Sequence, residues 1–538
     1  MLLMRWMSKR EKRREGLAWN MVTRMAFMDG LKQSGAWMGG FWNRGPDQKH
    51  AGRSWSVLVP VALFSAGFLI LGGCAGGPKV VRSQMHEDGP SQWVAVTGGV
   101  EENADGAVSG FAADGWLDAF ADVELDRWVR RALEHNPDVR LARSRVEASM
   151  ELARMEAAGL YPTLSAYGSG ERRFSGPGMS GESYGESSVY GWGLQTSWEL
   201  DVWGRVRDSA GGAREASEAA AYDLAGVRLS MAGMVARSWY GLLAARDQRD
   251  LARDTLSSYE ASTELVRHRY ESGVAGVSAL DLRLARATTE GARAVIADRE
   301  AEFSRSVKAF QVLVGDYPDG RLDRFGDWPD PGTLPLCGQP SSLLQRRPDL
   351  LAAERRLLAA EAQAGAARKA RMPKVVFQAE GGVVADDTAD LGDTDFRQWN
   401  AGVRVNQSLW SGGRMAAESG YADRLLEQAS IEYGQVVNQA FFEVEQGLVA
   451  DRLLADKADA VAASVEHAVA AEQLAWEQYG SGLVDIITAL EAHRRALSAR
   501  EGMIEVRKER MISRINLLLA LGGSLFRENS ISSGGDDR

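Results

Sequence analysis

Residues Gly191–Val206 read GWGLQTSWELDVWGRV. Trp192, Leu194, Thr196, Trp198 and Leu200 share one parity, and Gly193, Gln195, Ser197, Glu199 and Asp201 share the other. Alternation with a period of two predicts a β-strand with one apolar and one polar face. Past Gly204 the pattern changes. No proline occurs between Arg205 and Glu271, and Ala213, Ala220, Val227 and Met234 fall in one seven-residue row, with Leu224 and Met231 on the adjoining row. At about 1.5 Å per residue, a continuous helix there would run on the order of 100 Å. Such a length predicts coiled-coil packing. The small side chains of Ala216, Ala219, Ala220 and Ala221 let neighbouring helices approach closely. The question is what a strand with tryptophans on its outer face pairs with in a chain that is mostly helix.

The rest of the chain supplies partners, because the plan is written twice. Asn136-Pro137-Asp138 recurs as Arg347-Pro348-Asp349, and Pro162 recurs as Pro373 at the same offset. Asp201-Val202-Trp203-Gly204-Arg205 answers Leu409-Trp410-Ser411-Gly412-Gly413-Arg414, and Arg269-Tyr270-Glu271-Ser272-Gly273 answers Gln478-Tyr479-Gly480-Ser481-Gly482. Each half is expected to run helix, strand, loop, strand, long helix, turn, helix. The long helices are expected over Arg205–Glu271 and Gly413–Tyr479. Shorter ones are expected over Pro137–Leu160 with Val277–Leu313, and over Pro348–Arg371 with Val484–Leu521, each pair stacked end to end beside a long one. The other strands are expected over Leu164–Gly170, Val375–Gly381 and Trp399–Leu409. In the last of these, Trp399, Ala401, Val403, Val405 and Leu409 share a parity.

Strands of about 7 to 11 residues suit a tilted membrane sheet. Four strands are too few for a membrane barrel, and an open edge is not tolerated in lipid. If the strands are in a membrane, several chains must share one barrel, with the tryptophan face on lipid. The competing reading is a small soluble sheet capping a coiled coil.

Composition sets the outer limits. The 538 residues are 45% hydrophobic and 25% charged with a net charge of −10, a globular balance that argues against a nucleic-acid partner. The two cysteines, Cys74 and Cys337, have neither metal-ligand spacing nor the look of a disulfide framework. One apolar run, Val57 to Leu71, is broken by Pro60 and is short for a membrane span. Arg44, Lys49 and Arg53 precede it, and Leu71-Gly72-Gly73-Cys74 closes it. This is the plan of a signal peptide, and the closing cysteine resembles a bacterial lipobox, in which that residue is acylated. An ordinary signal peptide with a chance cysteine is the alternative. Residues 1–50 are basic and long for a signal n-region, so translation is expected to start further on, at Met21, Met25, Met28 or Met38, with a cytoplasmic extension as the alternative. The chain has six histidines but no HExxH, GxSxG, Walker loop or strand-borne GxGxxG, so neither an enzyme nor a cofactor or metal is expected.

Taken together, the duplicated plan, WELDVWGRVRDSA (Trp198–Ala210), LLQRRPDLLAAERRLLAAEAQAGAARKARMPK (Leu343–Lys374), LWSGGR (Leu409–Arg414) and LLLALGGSL (Leu517–Leu525) resemble the TolC-like outer-membrane factors, in particular the NodT/OprM-type efflux lipoproteins. Cys74-Ala75-Gly76-Gly77-Pro78, Trp116–Phe120 and Leu125–Trp128 resemble the start of the mature chain in that branch. The resemblance covers nearly everything from Cys74 to about Phe526. It implies a mainly α fold with membrane β: a trimeric, twelve-stranded outer-membrane β-barrel, four strands per chain, continuous with a long periplasmic α-helical barrel. It implies a passive exit duct of a tripartite efflux system in a Gram-negative-type outer membrane, anchored by acylated Cys74. Its partners would be a periplasmic adaptor and an inner-membrane transporter. A protein-secretion duct of the same fold and a poreless periplasmic scaffold lipoprotein are the alternatives.

The boundaries expected are an extension and signal peptide at 1–73, an anchored N-terminal segment at 74–135, and a first repeat at 136–320. A linker follows at 321–346, then a second repeat at 347–522 and a tail at 523–538. The resemblance points to the hairpin tips Ser272-Gly273-Val274 and Ser481-Gly482-Leu483 as adaptor contacts. Glycine there suits a tight reversal, so the tips would also cap their helices. It also points to Asp485 and Glu491 as acidic residues at the tunnel entrance. Repeated by threefold symmetry, these carboxylates would raise one another's pKa and attract cations. Many relatives carry aspartate where Glu491 stands. Tyr479 and Arg494 are candidates for closing the same gate. Solvated helix charges are the simpler reading of both carboxylates. Asp386, Asp387, Asp390, Asp393 and Asp395 form either an acidic extracellular rim or a plain solvated loop.

Overall fold

A computed structural model describes Trp93 and residues 116–175, 185–274, 277–322, 324–330, 340–392, 395 and 397–523. Cys74, the signal segment, Cys337, Asp393 and the tail past residue 523 lie outside the described residues. A 3-10 turn at Trp116–Phe120 leads to α1 (Val123–His135) and α2 (Pro137–Ala158). Next come β1 (Thr163–Ser175), β2 (Gly185–Leu200), α3 (Arg205–Glu271) and α4 (Ala279–Val314). The second half carries α5 (Pro348–Lys369), β3 (Lys374–Ala385), β4 (Arg397–Asn406), α6 (Arg414–Gly480) and α7 (Ile486–Ala520). The long helices α3 and α6 are each 67 residues, and α2 and α5 are each 22.

The recurring Pro-Asp landmarks mark the joints between stacked short helices. Pro137 and Pro348 open α2 and α5, where a missing N–H costs nothing. Asn136 accepts from the Asp138 amide (2.7 Å) and donates Nδ2–H to the Leu313 carbonyl (2.8 Å) in the last turn of α4. Arg347 stands at the same place in the second half. It makes no cap but donates Nη1–H to the Ala520 carbonyl (2.9 Å) at the end of α7. Different side chains thus hold the same joint, and each satisfies a helix-terminal carbonyl that would otherwise be buried unpaired. Burying the Arg347 guanidinium is made tolerable by ion pairs to Asp349 (2.7 Å) and Glu443 (2.8 Å).

Around each joint sits an apolar core. The first gathers Phe120, Trp128, Trp239, Tyr240 and Phe310, with Asp122 accepting from Trp239 Nε1 (2.9 Å). The second gathers Leu343, Leu350, Val437, Val444 and Leu517. A third, smaller cluster lies at the hairpin tips. Each fully buried large side chain contributes about 1.5–3 kcal/mol relative to exposure.

The four strands form one antiparallel sheet in the order β1-β2-β3-β4. β1 and β3 run beyond their expected ends. Glu171-Arg172-Arg173 reads as loop by polarity, but these residues pair with Val189-Ser188-Ser187, and Arg172 meets Glu186 at 2.5 Å. Cross-strand pairing outweighs composition there. β4 instead stops at Asn406, short of the expected Leu409, because Asn406 already faces Lys374, the first residue of β3. Leu409 is left outside the ladder and exposed.

Candidate functional site

The register of the sheet places every apolar alternation on one face. Leu164, Ala166 and Gly168 of β1 stand opposite Thr196, Leu194 and Trp192 of β2. Trp192, Leu194, Thr196, Trp198 and Leu200 stand opposite Val383, Gly381, Ala379, Phe377 and Val375 of β3. The last four of these face Trp399, Ala401, Val403 and Val405 of β4. Directly paired residues share a face, so this face is apolar across all four strands. It is also open: Leu164, Trp192, Leu194, Trp399, Val403 and Val405 are all more than half exposed. Trp198 donates Nε1–H to Leu160 (3.0 Å) at the helical end of β2, and Trp192 donates to Leu391 (3.1 Å) at the loop end. Tryptophans with an apolar body and a satisfied N–H at both ends of a greasy band are the arrangement of a membrane interface.

The opposite face carries Ser165, Gln195, Ser197, Gln378, Glu380, Asn400 and Arg404. Tyr167 lies over Gly193 and its hydroxyl hydrogen-bonds Glu380. Gly193 and Gly382 are direct partners, and here glycine is required by space. A Cβ at Gly382 would lie 2.3 Å from the Trp192 carbonyl oxygen, and one at Gly193 would lie 2.6 Å from that of Gly381. Among the described residues β1 pairs only with β2 and β4 only with β3, so both outer edges are unpaired.

At the far end of the long helices the two hairpins turn in the same way. Gly273 (φ 72°) and Gly482 (φ 75°) take the left-handed conformation that closes a Schellman motif. The Val274 amide donates to the Arg269 carbonyl (3.1 Å) and the Leu483 amide to that of Gln478 (2.9 Å). Ser272 and Ser481 are the C-cap residues. Leu483 is 75% exposed, and Leu280 and Ile487, just past the two turns, are exposed as well. Each return helix starts on a side-chain cap. Ser278 and Asp281 form a capping box on α4, and Asp485 accepts from the Thr488 amide (2.8 Å) on α7.

The gate candidates separate by environment. Asp485 is an exposed N-cap, and hydrogen bonds from the Thr488 hydroxyl and amide hold its carboxyl below the usual range. Glu491 accepts from Arg494 (2.8 Å) and from Arg495 (2.9 Å), and these contacts lower its pKa to about 2. Within one chain, then, this carboxylate is neutralised by cations rather than pushed upward by like charge. Tyr479 is buried with Ile486, Ala489 and Val266, edge-on to Trp476, and its hydroxyl has no partner. The Arg269 guanidinium lies 4.7 Å from the Tyr479 ring centroid and donates to the Tyr479 carbonyl, joining the first hairpin to the second. Arg269 carries no signal in the sequence beyond its place one residue before Tyr270 in the duplicated motif. The acidic loop is a local turn, in which Asp387 accepts from the Ala389 amide (3.0 Å). Among the described residues no group of His, Cys, Asp and Glu could hold a metal ion.

A profile of the outer membrane efflux protein family matches residues 128–316 and 339–523. The antibiotic efflux pump outer membrane protein ArpC of Pseudomonas putida is 30% identical over 85% of this chain and 94% of its own length. The cation efflux system protein CusC of Escherichia coli is 28% identical over 85% of this chain and 97% of its own. Among solved structures, the outer-membrane channel OprN superposes with a TM-score of 0.75 at 25% identity, covering 84% of this chain and 100% of its own. The open state of the MtrE channel of Neisseria gonorrhoeae superposes with a TM-score of 0.71 at 26% identity, covering 82% and 98%.

Proposed function

This chain belongs to the outer membrane efflux protein family, and on that footing we propose that it is the outer-membrane channel of a tripartite efflux system. It conducts small molecules passively from a periplasmic adaptor and inner-membrane transporter to the exterior, with no catalytic step. The observation that carries this reading is the sheet: one face apolar across four strands, the other polar, and, among the described residues, both edges unpaired. A sheet with open edges is not stable in lipid, and four strands are too few to close. Three chains sharing a barrel resolve both problems: β1 of one pairs with β4 of the next, the tryptophan face meets lipid and the Tyr167–Glu380 face lines water. The twin hairpins form the periplasmic end, with Ser272, Gly273, Val274, Ser481, Gly482 and Leu483 docking the adaptor. Asp485, Glu491 and Tyr479 stand at the entrance, where Glu491 acts with its two arginines as a mixed-charge ring. Acylated Cys74 adds a lipid anchor. The relatives' names range from antibiotics to toluene and cations, which supports a duct whose cargo is selected upstream.

Planar-bilayer recording of the purified protein tests this. Discrete, reproducible channels are expected. Their absence under conditions in which the protein is folded and inserted, with the gate deliberately loosened by Arg269→Ala, would favour a poreless scaffold.

A further inference from the structure

Above the tips lies a buried ionisable pair that the duct reading does not use. In its first three turns α7 buries Ile486, Ala489, His493 and Ala496. Three of the four are apolar; the fourth is an imidazole only 3% exposed. His493 Nδ1 shares a hydrogen bond with Glu472 Oε1 of α6. The other Glu472 oxygen accepts from Arg500 Nη2 at 3.0 Å. Tyr259 of α3 closes the site, its ring centroid 4.4 Å from that of His493. His493 Nε2 is buried and has no hydrogen-bond partner. Three helices from both hairpins therefore meet on one imidazole, about two turns into α7.

The surrounding charges fix what a proton would do. Glu472 of α6 and Arg500 of α7 already balance each other. Arg494 of α7 is engaged by Glu491. Burial raises the Tyr259 phenol of α3 above its ordinary range, so it stays protonated. α4 offers Thr289, which donates to the Tyr259 carbonyl (3.3 Å), while its Arg293 is paired on the surface with Glu260. With His493 neutral and Nδ1–H donated to Glu472, the cluster carries no net charge. A second proton must go on Nε2. It places a surplus positive charge and an N–H with no acceptor in a site closed to water, and such a donor is costly to leave unmade. The cost is relieved only if the helices part and admit water.

We propose that the Glu472–His493 pair, closed over by Tyr259, is a proton-operated latch: neutral His493 holds the second hairpin against the first, and protonation loosens it. The latch itself stands on the contacts within one chain; its effect on the opening of the entrance rests on the duct reading above.

Hydrogen exchange of the intact protein in detergent separates the two. Amides of α6 and α7 around Glu472 and His493 are followed at pH about 7.5 and about 5.5, corrected for intrinsic exchange, in wild type and His493→Gln. Protection in the wild type is expected to fall about tenfold on acidification, the scale of one buried unmade hydrogen bond, and to stay constant in the variant. His493→Phe, which fills the site with no ionisable group, serves if the glutamine variant folds poorly, with the same flat response expected. No change in the wild type, or an equal change in either variant, overturns the latch. A preserved exchange response in a protein that forms no channels would leave the latch standing and overturn the duct.

Discussion

Glu491 shows how a single residue can carry a charge and still not act as one. One turn of α7 places Arg494 and Arg495 at the three- and four-residue spacings that meet it. Its folded pKa, about 2, lies below the ordinary value of 4.5, so it loses its charge only as pH falls through about 2. Any stability tied to it is present above the ordinary carboxylate pKa and lost on descent through the folded one. Across about pH 4 to 8 the folded Glu491 stays ionised. Glu491→Gln is therefore expected to leave the pH profile of channel opening unchanged while freeing two guanidiniums per chain. Cation-over-anion permeability, read from the reversal potential in a salt gradient, should shift toward anions. A change in the pH profile instead would mean that Glu491 titrates in the entrance. In the sequence Glu491 reads as an acidic entrance residue or a solvated charge; its neutralisation by Arg494 and Arg495 comes from the structure, although the Glu-x-x-Arg-Arg spacing permits it. The burial of Tyr479 was not legible there either, because its cover is Arg269, more than two hundred positions away in the chain.

At the scale of elements, periodicity carried most of the information. Period two marks β2 and β4 with their apolar parity, the absence of proline with a seven-residue row marks α3 nearly to its ends, and the duplicated plan carries the same length over to α6. What polarity could not give was where pairing stops. Charged residues of β1 stay in the ladder because β2 offers partners, and apolar Leu409 falls outside because β3 has run out. The duplicated motifs were visible as words, but their shared task at the helix joints was not. Asn136 and Arg347 do it with unlike chemistry. The sheet also has one point of no tolerance. At the Gly193–Gly382 pair a side chain would meet backbone, which cannot move aside as a flexible side chain would. Gly382→Val is expected to separate β2 from β3 and remove most of the assembled oligomer from the outer-membrane fraction. Val376→Ile, elsewhere on the same strand, should leave assembly near the wild-type level. Equal assembly by the glycine variant would show that the two strands are not held at this distance.

For the whole molecule the single chain leaves apolar surface open on both its helices and its sheet. The helices bury two joint-centred cores and a tip cluster but leave Met155, Tyr421, Phe442 and Leu453 exposed, and among the described residues the sheet leaves two edges unpaired and one face of tryptophan, leucine and valine uncovered. Association through those edges removes the open backbone groups and places the apolar face on lipid in one step, so oligomerisation and membrane insertion are expected to be coupled. Native mass spectrometry of the protein purified in detergent addresses this most directly. A trimer that persists when the detergent shell is stripped is expected. A monomer that remains folded under the same conditions would contradict the shared barrel, and with it the duct.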